Sequence, residues 1–388
     1  MKKRLKIFCL VVALLILTSP AFVLAAPDPN FFYGGWIPFW KKLEGAVEVN
    51  NHLLFVDEIS PFSYEVNPNG TLIDKMKIKQ GFWPDWLLSV RNLNVKVIPS
   101  IALFKGAQMQ KMLSNYKTRQ NHIKQIAAMA KNPRFDGVDI DYENKNPETK
   151  IYFSAFIKEL SFALHAQKKL LSCTVEPRTP WDSLGPDAAK NSYIKSSYAT
   201  DYAVLNKYCD QVRIMAYDQG RVDVVLNKTK GQIQPYAPVA DPEWVEKVLA
   251  EVLKSVSPQK VMLGIPTYGY EYNVTFKNGV YSYSRIRALN YPAAMNLAKN
   301  ANAAPQRNSA GELSFVYQNS TPSLFQAAVS VAIGQPATGQ TASGKLVWFT
   351  DASAIQDKIN LAKKYNLRGV VFFKFDGGAD PAFWDNIK

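Results

Sequence analysis

Eight short apolar runs, most of them separated by segments with helical spacing, constrain this chain more than any other feature. The runs are Phe32–Trp40, Leu53–Val66, Val95–Phe104, Phe135–Glu143, Leu170–Glu176, Gln211–Asp218, Lys260–Tyr268 and Arg368–Asp376. Between them, apolar side chains recur at the 3.6-residue period of a helix. Tyr152, Phe156, Leu160 and Leu164 form one stripe, and Ile355, Ile359 and Ala362 form another. A third, Trp244, Val248, Val252 and Val256, follows Asp241 as N-cap and Pro242 in the first turn. Alternating strands and helices imply parallel pairing with right-handed crossovers. Eight such units suggest closure into a (β/α)8 TIM barrel, which needs ~250 residues before insertions. An open doubly wound sheet is the alternative. It would more readily carry a Gly-rich phosphate loop after its first strand, and no such loop is present.

The alternation breaks between Tyr272 and Val347. Lys277-Asn278-Gly279 reads as a turn, Tyr281–Arg285 alternates like a strand, Pro292–Asn300 reads as a short helix and Leu313–Gln318 as another strand. A small α+β insertion after strand seven is expected over 273–346. The barrel is then divided between 27–272 and 347–388. The aromatics Tyr281, Tyr283, Phe315 and Tyr317 argue against a structureless loop.

The first 25 residues read as a signal peptide. Lys2, Lys3, Arg4 and Lys6 precede an apolar stretch from Ile7 to Thr18, and Val23-Leu24-Ala25-Ala26 supplies small residues for cleavage after Ala25. The apolar stretch is shorter than the ~20 residues of a spanning helix, so stable membrane insertion is not expected. Export to the cell envelope or medium is. Without the leader, Lys+Arg falls from 46 to 42 against 32 Asp+Glu, a net charge of +10. Such a surface favours an anionic envelope. The lysines are scattered and form no basic run interleaved with aromatics, which argues against nucleic acid as a partner. Cys173 and Cys209 each lie in or beside an apolar run. They are expected as two small buried hydrophobes rather than a bridge.

The fourth run carries the chemistry. Asp139, Asp141 and Glu143 are spaced by two, so in a strand all three point the same way, while Val138, Ile140 and Tyr142 point the other. In a barrel the apolar set faces the helices and the acids face inward. Mutual repulsion and lost solvation raise carboxylate pKa values, so at least one acid should hold a proton near neutral pH. Barrel active sites lie at the C-terminal ends of the strands, which singles out Glu143 as general acid. Three carboxylates could instead bind Mg²⁺ or Ca²⁺. Catalysis without metal or cofactor is the reading adopted.

Asp136-x-x-Asp139-x-Asp141-x-Glu143 resembles the acidic signature of glycoside hydrolase family 18, the chitinases and N-acetylglucosaminidases. Met215-Ala216-Tyr217-Asp218 resembles the family's strand-six motif, and Gly264-Ile265-Pro266-Thr267-Tyr268-Gly269 its strand-seven motif. The resemblance implies a retaining hydrolase of β-linked N-acetylglucosamine polymers, acting by substrate assistance, in which the substrate's acetamido oxygen replaces an enzyme nucleophile. It implies Glu143 as acid and base, Asp141 orienting the acetamido group, Asp139 supporting Asp141, and Tyr217 donating to the acetamido oxygen. Asp218 and Met215 would shape the same pocket. Asp136 has the opposite parity and reads as structural. Arg213 shares the parity of Tyr217 and should pair inside the barrel with an acid, most plausibly Asp139.

Sugar rings stack on aromatic faces. Trp36 and Trp40 flank the end of strand one, Phe62 and Tyr64 lie at strand two, Trp181 follows strand five, and Tyr268 and Tyr270 end strand seven. Of these Trp36, Phe62 and Tyr268 are taken as substrate-binding, with Phe373 of strand eight. Phe373 stands where many chitinases carry Trp, and Trp36 where the family usually has Tyr. Glu58–Val66 looks closer to the branch with bacterial spore-cortex-lytic N-acetylglucosaminidases. The expected partner is therefore a carbohydrate polymer, chitin or peptidoglycan, met by a monomer. A catalytically silent, lectin-like member of the family is the alternative.

Overall fold

The computed structural model describes residues 31–387, apart from 185–189, 191, 222, 232–233, 279 and 318–340. The expected signal peptide lies outside the described residues. Eight parallel strands close into a barrel: β1 (Phe32–Pro38), β2 (Glu58–Val66), β3 (Ser100–Leu103), β4 (Gly137–Tyr142), β5 (Leu170–Val175), β6 (Gln211–Ile214), β7 (Val261–Pro266) and β8 (Gly369–Phe373). Each pairs with the next, and β1 pairs with both β2 and β8, so the sheet has no free edge at the seam. All eight runs contain a barrel strand. The second begins later than expected, because Leu53–Phe55 form a turn of 3-10 helix before Glu58.

The strands are apolar on one face because helices cover them. Val138, Ile140 and Tyr142 of β4 are fully buried in the main core, beside Phe153, Phe156 and Leu160 of the helix Lys150–His165. Burying each such aliphatic or aromatic side chain contributes ~1.5–3 kcal/mol. The helix Pro242–Val252 begins as its sequence requires. The Asp241 carboxylate accepts the Glu243 N–H at 2.8 Å and Pro242 occupies the first turn. Trp244, Val248 and Val252 are buried on its inner face, while Val256 is buried beyond its end. Ile355, Ile359 and Ala362 are the buried stripe of the helix Ala352–Lys364.

After β7 the chain leaves the barrel. Tyr268–Lys277 pairs antiparallel with Val280–Asn290 and with Thr341–Phe349, and Leu313–Tyr317 and Gln306–Arg307 complete a five-stranded sheet. Asn278 takes φ 52° between the first two strands, a conformation Asn tolerates better than most residues. The helix Tyr291–Asn300 packs Ala294 and Ala298 into this subdomain.

The cysteines correct an expectation. Cys173 and Cys209 form a disulfide with their Cα atoms 6.2 Å apart. Cys173 lies on β5 opposite Val212 of β6, and Cys209 lies two residues before β6 begins, so strand pairing carries the two to bonding distance. Both are buried, as expected, but they are joined.

Candidate active site

The inward face of β4 meets polar residues from both neighbours. Asp139 stands opposite Ser100 of β3 and Ser172 of β5, and Asp141 opposite Ala102 and Thr174. Asp139 is fully buried. Its carboxylate accepts hydrogen bonds from Ser100 (2.7 Å), Ser172 (2.8 Å), Thr174 (2.8 Å) and the Trp36 indole N–H (3.2 Å). Arg213 lies beneath, with Nη1 3.2 Å from Asp139 Oδ2 and Nη2 2.9 Å from Glu58 Oε1. Arg213 thus joins Asp139 as expected, but its shorter contact is to Glu58, a residue the sequence reading did not single out. Gly34 makes that possible, because a Cβ there would lie 2.6 Å from Glu58 Cγ. A charged floor of Glu58, Arg213 and Asp139 therefore underlies the site.

Above this floor Asp141 is buried, and its Oδ1 has no hydrogen-bond partner among the described residues. Burial, followed by the charges of Glu143, Asp139 and Glu176, pushes its carboxyl well above the usual carboxylate range, against the opposing charge of Lys145. Burial thus favours the protonated form of Asp141. Glu143 follows the last residue of β4, half-buried at the barrel mouth, and its N–H donates to the Leu103 carbonyl at 3.0 Å.

A cavity of about 780 Å³ opens over these acids. Asp141, Glu143, Met215, Tyr217, Asp218, Trp36, Phe62, Tyr268 and Phe373 all line it, whereas Asp139 lies below. Asp218 takes φ 59°, and its Oδ1 accepts from the hydroxyls of Tyr268 (2.8 Å) and Tyr270 (2.7 Å). Burial and the Asp218 charge raise both tyrosine pKa values, so both hydroxyls remain donors. Phe373 packs between Tyr217 (centroids 5.7 Å, nearly parallel), Trp36 (6.0 Å) and Tyr268 (6.0 Å). Trp40 and Tyr270 also reach the cavity.

Tyr64 and Trp181 do not. A register shift between Phe62 and Tyr64 breaks the alternation of β2 and sends Tyr64 into the core outside the barrel. Trp181 is exposed and meets Tyr198 edge-on at 5.2 Å. Asp136 is likewise remote. Arg91 grips it from Nε (3.0 Å) and Nη2 (2.6 Å), and the Val97 N–H adds 2.8 Å, an anchor on the outer side of the sheet.

Sequence reasoning missed several residues. Phe104 extends the aromatic wall, and Lys374 and Asp376, which pair with each other, also line the cavity. Buried Glu176 and Lys145 form an ion pair at 2.6 Å behind Glu143. Glu176 could have been found, because it ends the fifth run with the inward parity of Ser172 and Thr174. Lys145 had no such signal, since it lies in a turn.

A buried acid, a partly exposed carboxyl beside it, a tyrosine wall and packed aromatic rings suit a polar ring substrate that acquires charge. Over residues 64–378 the chain matches the model of the glycosyl hydrolases family 18. It is 28% identical to the uncharacterized glycosylase YvbX of Bacillus subtilis (strain 168) over 286 residues, 74% of this chain and 70% of that protein. The cortical fragment-lytic enzyme of the same organism is 22% identical over 346 residues, 88% of this chain and 68% of its own. Among solved structures, the spore cortex-lytic enzyme SleL of Bacillus megaterium QM B1551 superposes with a TM-score of 0.70. It is 22% identical and covers 93% of this chain and 74% of its own.

Proposed function

The chain belongs to glycoside hydrolase family 18, and from that premise we propose that it is an exported retaining hydrolase of β-linked N-acetylglucosamine polymers, with Glu143 as acid and base. The observation that carries the reading is the placing of Glu143 at the mouth of β4, directly after buried Asp141, in one cavity with Tyr217. Glu143 protonates the leaving oxygen while the acetamido oxygen of the bound sugar attacks the anomeric carbon. The bond to the leaving sugar breaks as the bond to the acetamido oxygen forms; water then enters from the face the leaving sugar vacated and displaces the acetamido oxygen, so configuration is retained. Deprotonated Glu143 then removes a proton from that water.

Asp141 is suited to the acetamido group. Its Oδ1, without a partner among the described residues, can accept from the amide N–H, and that hydrogen bond strengthens as positive charge develops on the acetamido group. Asp139 supports Asp141 from two residues below on the same face of β4. Tyr217 donates to the acetamido oxygen and holds it near the anomeric carbon. Phe373, Trp36 and Tyr268 provide apolar faces for the ring.

Peptidoglycan is the polymer we favour. Two of the relatives compared carry cortex-lytic names, and Phe373 offers less stacking area than Trp would. The test is to incubate the purified protein with short N-acetylglucosamine oligomers and with peptidoglycan, and to identify products by mass. Fragments ending in reducing N-acetylglucosamine are expected from peptidoglycan. Binding without cleavage would move the chain to the lectin-like reading, and neither binding nor cleavage would refute a glycan substrate.

A further inference from the structure

Lys145 and Glu176 have fully buried side chains, 2.6 Å apart, and neither lines the cavity. A buried ion pair is poor value for stability alone, because desolvation offsets much of the attraction. The bonds it makes are informative. Lys145 Nζ also donates to the Tyr142 carbonyl, the residue before Glu143. Glu176 Oε1 accepts from the Asn144 N–H at 2.8 Å, the residue after Glu143, and from the Ser196 hydroxyl at 2.7 Å. The pair therefore grips the peptide groups on both sides of Glu143.

It does so where the ladder to β5 ends. β4 ends at Tyr142, and the chain turns through Asn144 at φ 57°. That turn is seated tightly, since a Cβ on Gly106 would lie 2.2 Å from the Asn144 carbonyl oxygen. The Tyr142 side chain is fixed on the opposite face. Its hydroxyl bonds His122 Nε2, while His122 Nδ1–H donates to the Gly70 carbonyl at 2.6 Å. Burial lowers the His122 pKa to about 4, so the imidazole is neutral and can accept from Tyr142. Despite its burial, Glu176 is held below the usual carboxylate range by the Lys145 charge and by hydrogen bonds from Lys145 and Ser196.

We propose that the buried Lys145–Glu176 pair is a positioning device for Glu143, holding its two flanking peptides where the ladder to β5 has ended and so aiming its carboxyl at the scissile oxygen. The proposal rests on the reading of Glu143 as acid and base. Displacing a catalytic group by ~1 Å costs on the order of 10²-fold in rate.

The test uses the full chain and two double variants. Lys145→Met with Glu176→Leu removes both grips. Lys145→Met with Glu176→Gln restores an acceptor for Asn144 and Ser196 without charge. For the first, kcat on the substrate turned over by wild type should fall about 10²-fold with KM little changed, and crystal structures should show Glu143 displaced. The second should recover part of the rate. If the first does not fold, the second decides, with kcat down about 10-fold and the Tyr142 carbonyl moved. Unchanged kcat, or Glu143 within ~0.5 Å of its wild-type position, overturns the proposal. Should wild type cleave no glycan while Glu143 still moves in the variants, the catalytic reading fails and the positioning role stands.

Discussion

Arg213 Nη1 lies 3.2 Å from Asp139 Oδ2, with both side chains fully excluded from solvent. The same guanidinium reaches Glu58 Oε1 at 2.9 Å and donates to the Ser60 hydroxyl at 2.7 Å. Removing it would leave two buried carboxylates facing each other without a cation. Arg213→Met is expected to cost about 3–5 kcal/mol in stability, measured by denaturant unfolding at neutral pH. A loss below ~1 kcal/mol would mean that the floor does not depend on this charge.

Glu48 lies behind the Lys374–Asp376 wall. Burial, together with the charge of Asp376, raises its pKa to about 7, although the Gly377 N–H opposes the shift. The folded value therefore exceeds the unfolded one. The stabilisation from protonated Glu48 is fully present below pH ~4.5 and is lost as pH rises through about 7. Glu48→Gln should be more stable than wild type at pH 8 by up to about 3 kcal/mol and nearly equal at pH 4. Unfolding curves across that range check this. Parallel pH profiles for the two proteins would contradict it.

The disulfide closes a loop between positions 36 apart in sequence. Chain-entropy reasoning gives such a crosslink about 4 kcal/mol. The Cys173→Ala, Cys209→Ala double variant should lose about that amount, read by urea unfolding under non-reducing conditions.

The disulfide marks where the sequence ceased to be legible. The eight runs, the Asp241 cap and the parity of Asp139 and Asp141 follow from periodicity, which is local and survives without tertiary information. Cys173 and Cys209 became a bridge through the pairing of β5 with β6, which periodicity does not report. Tyr64 left the expected aromatic wall because one register shift reverses a strand's parity. Among the inward acids, burial and then neighbouring charge push the Asp141 carboxyl up, an effect that depends on residues from other strands and turns. Lys145 was invisible because its role depends on a side chain reaching back to Tyr142 from a turn.

Phe373 meets Trp36, Tyr217 and Tyr268 and still lines the cavity. Phe373→Ala should weaken binding of N-acetylglucosamine oligomers by about 1.5 kcal/mol, roughly tenfold in Kd by calorimetry. Unchanged affinity would remove Phe373 from the sugar-binding wall.

The central claim is that Glu143 moves the proton. Glu143→Gln keeps the shape of the side chain and removes its acid and base. With peptidoglycan or an N-acetylglucosamine oligomer turned over by wild type, kcat should fall by about 10²–10⁴-fold while binding persists. Turnover by Glu143→Gln equal to that of wild type would contradict the assignment.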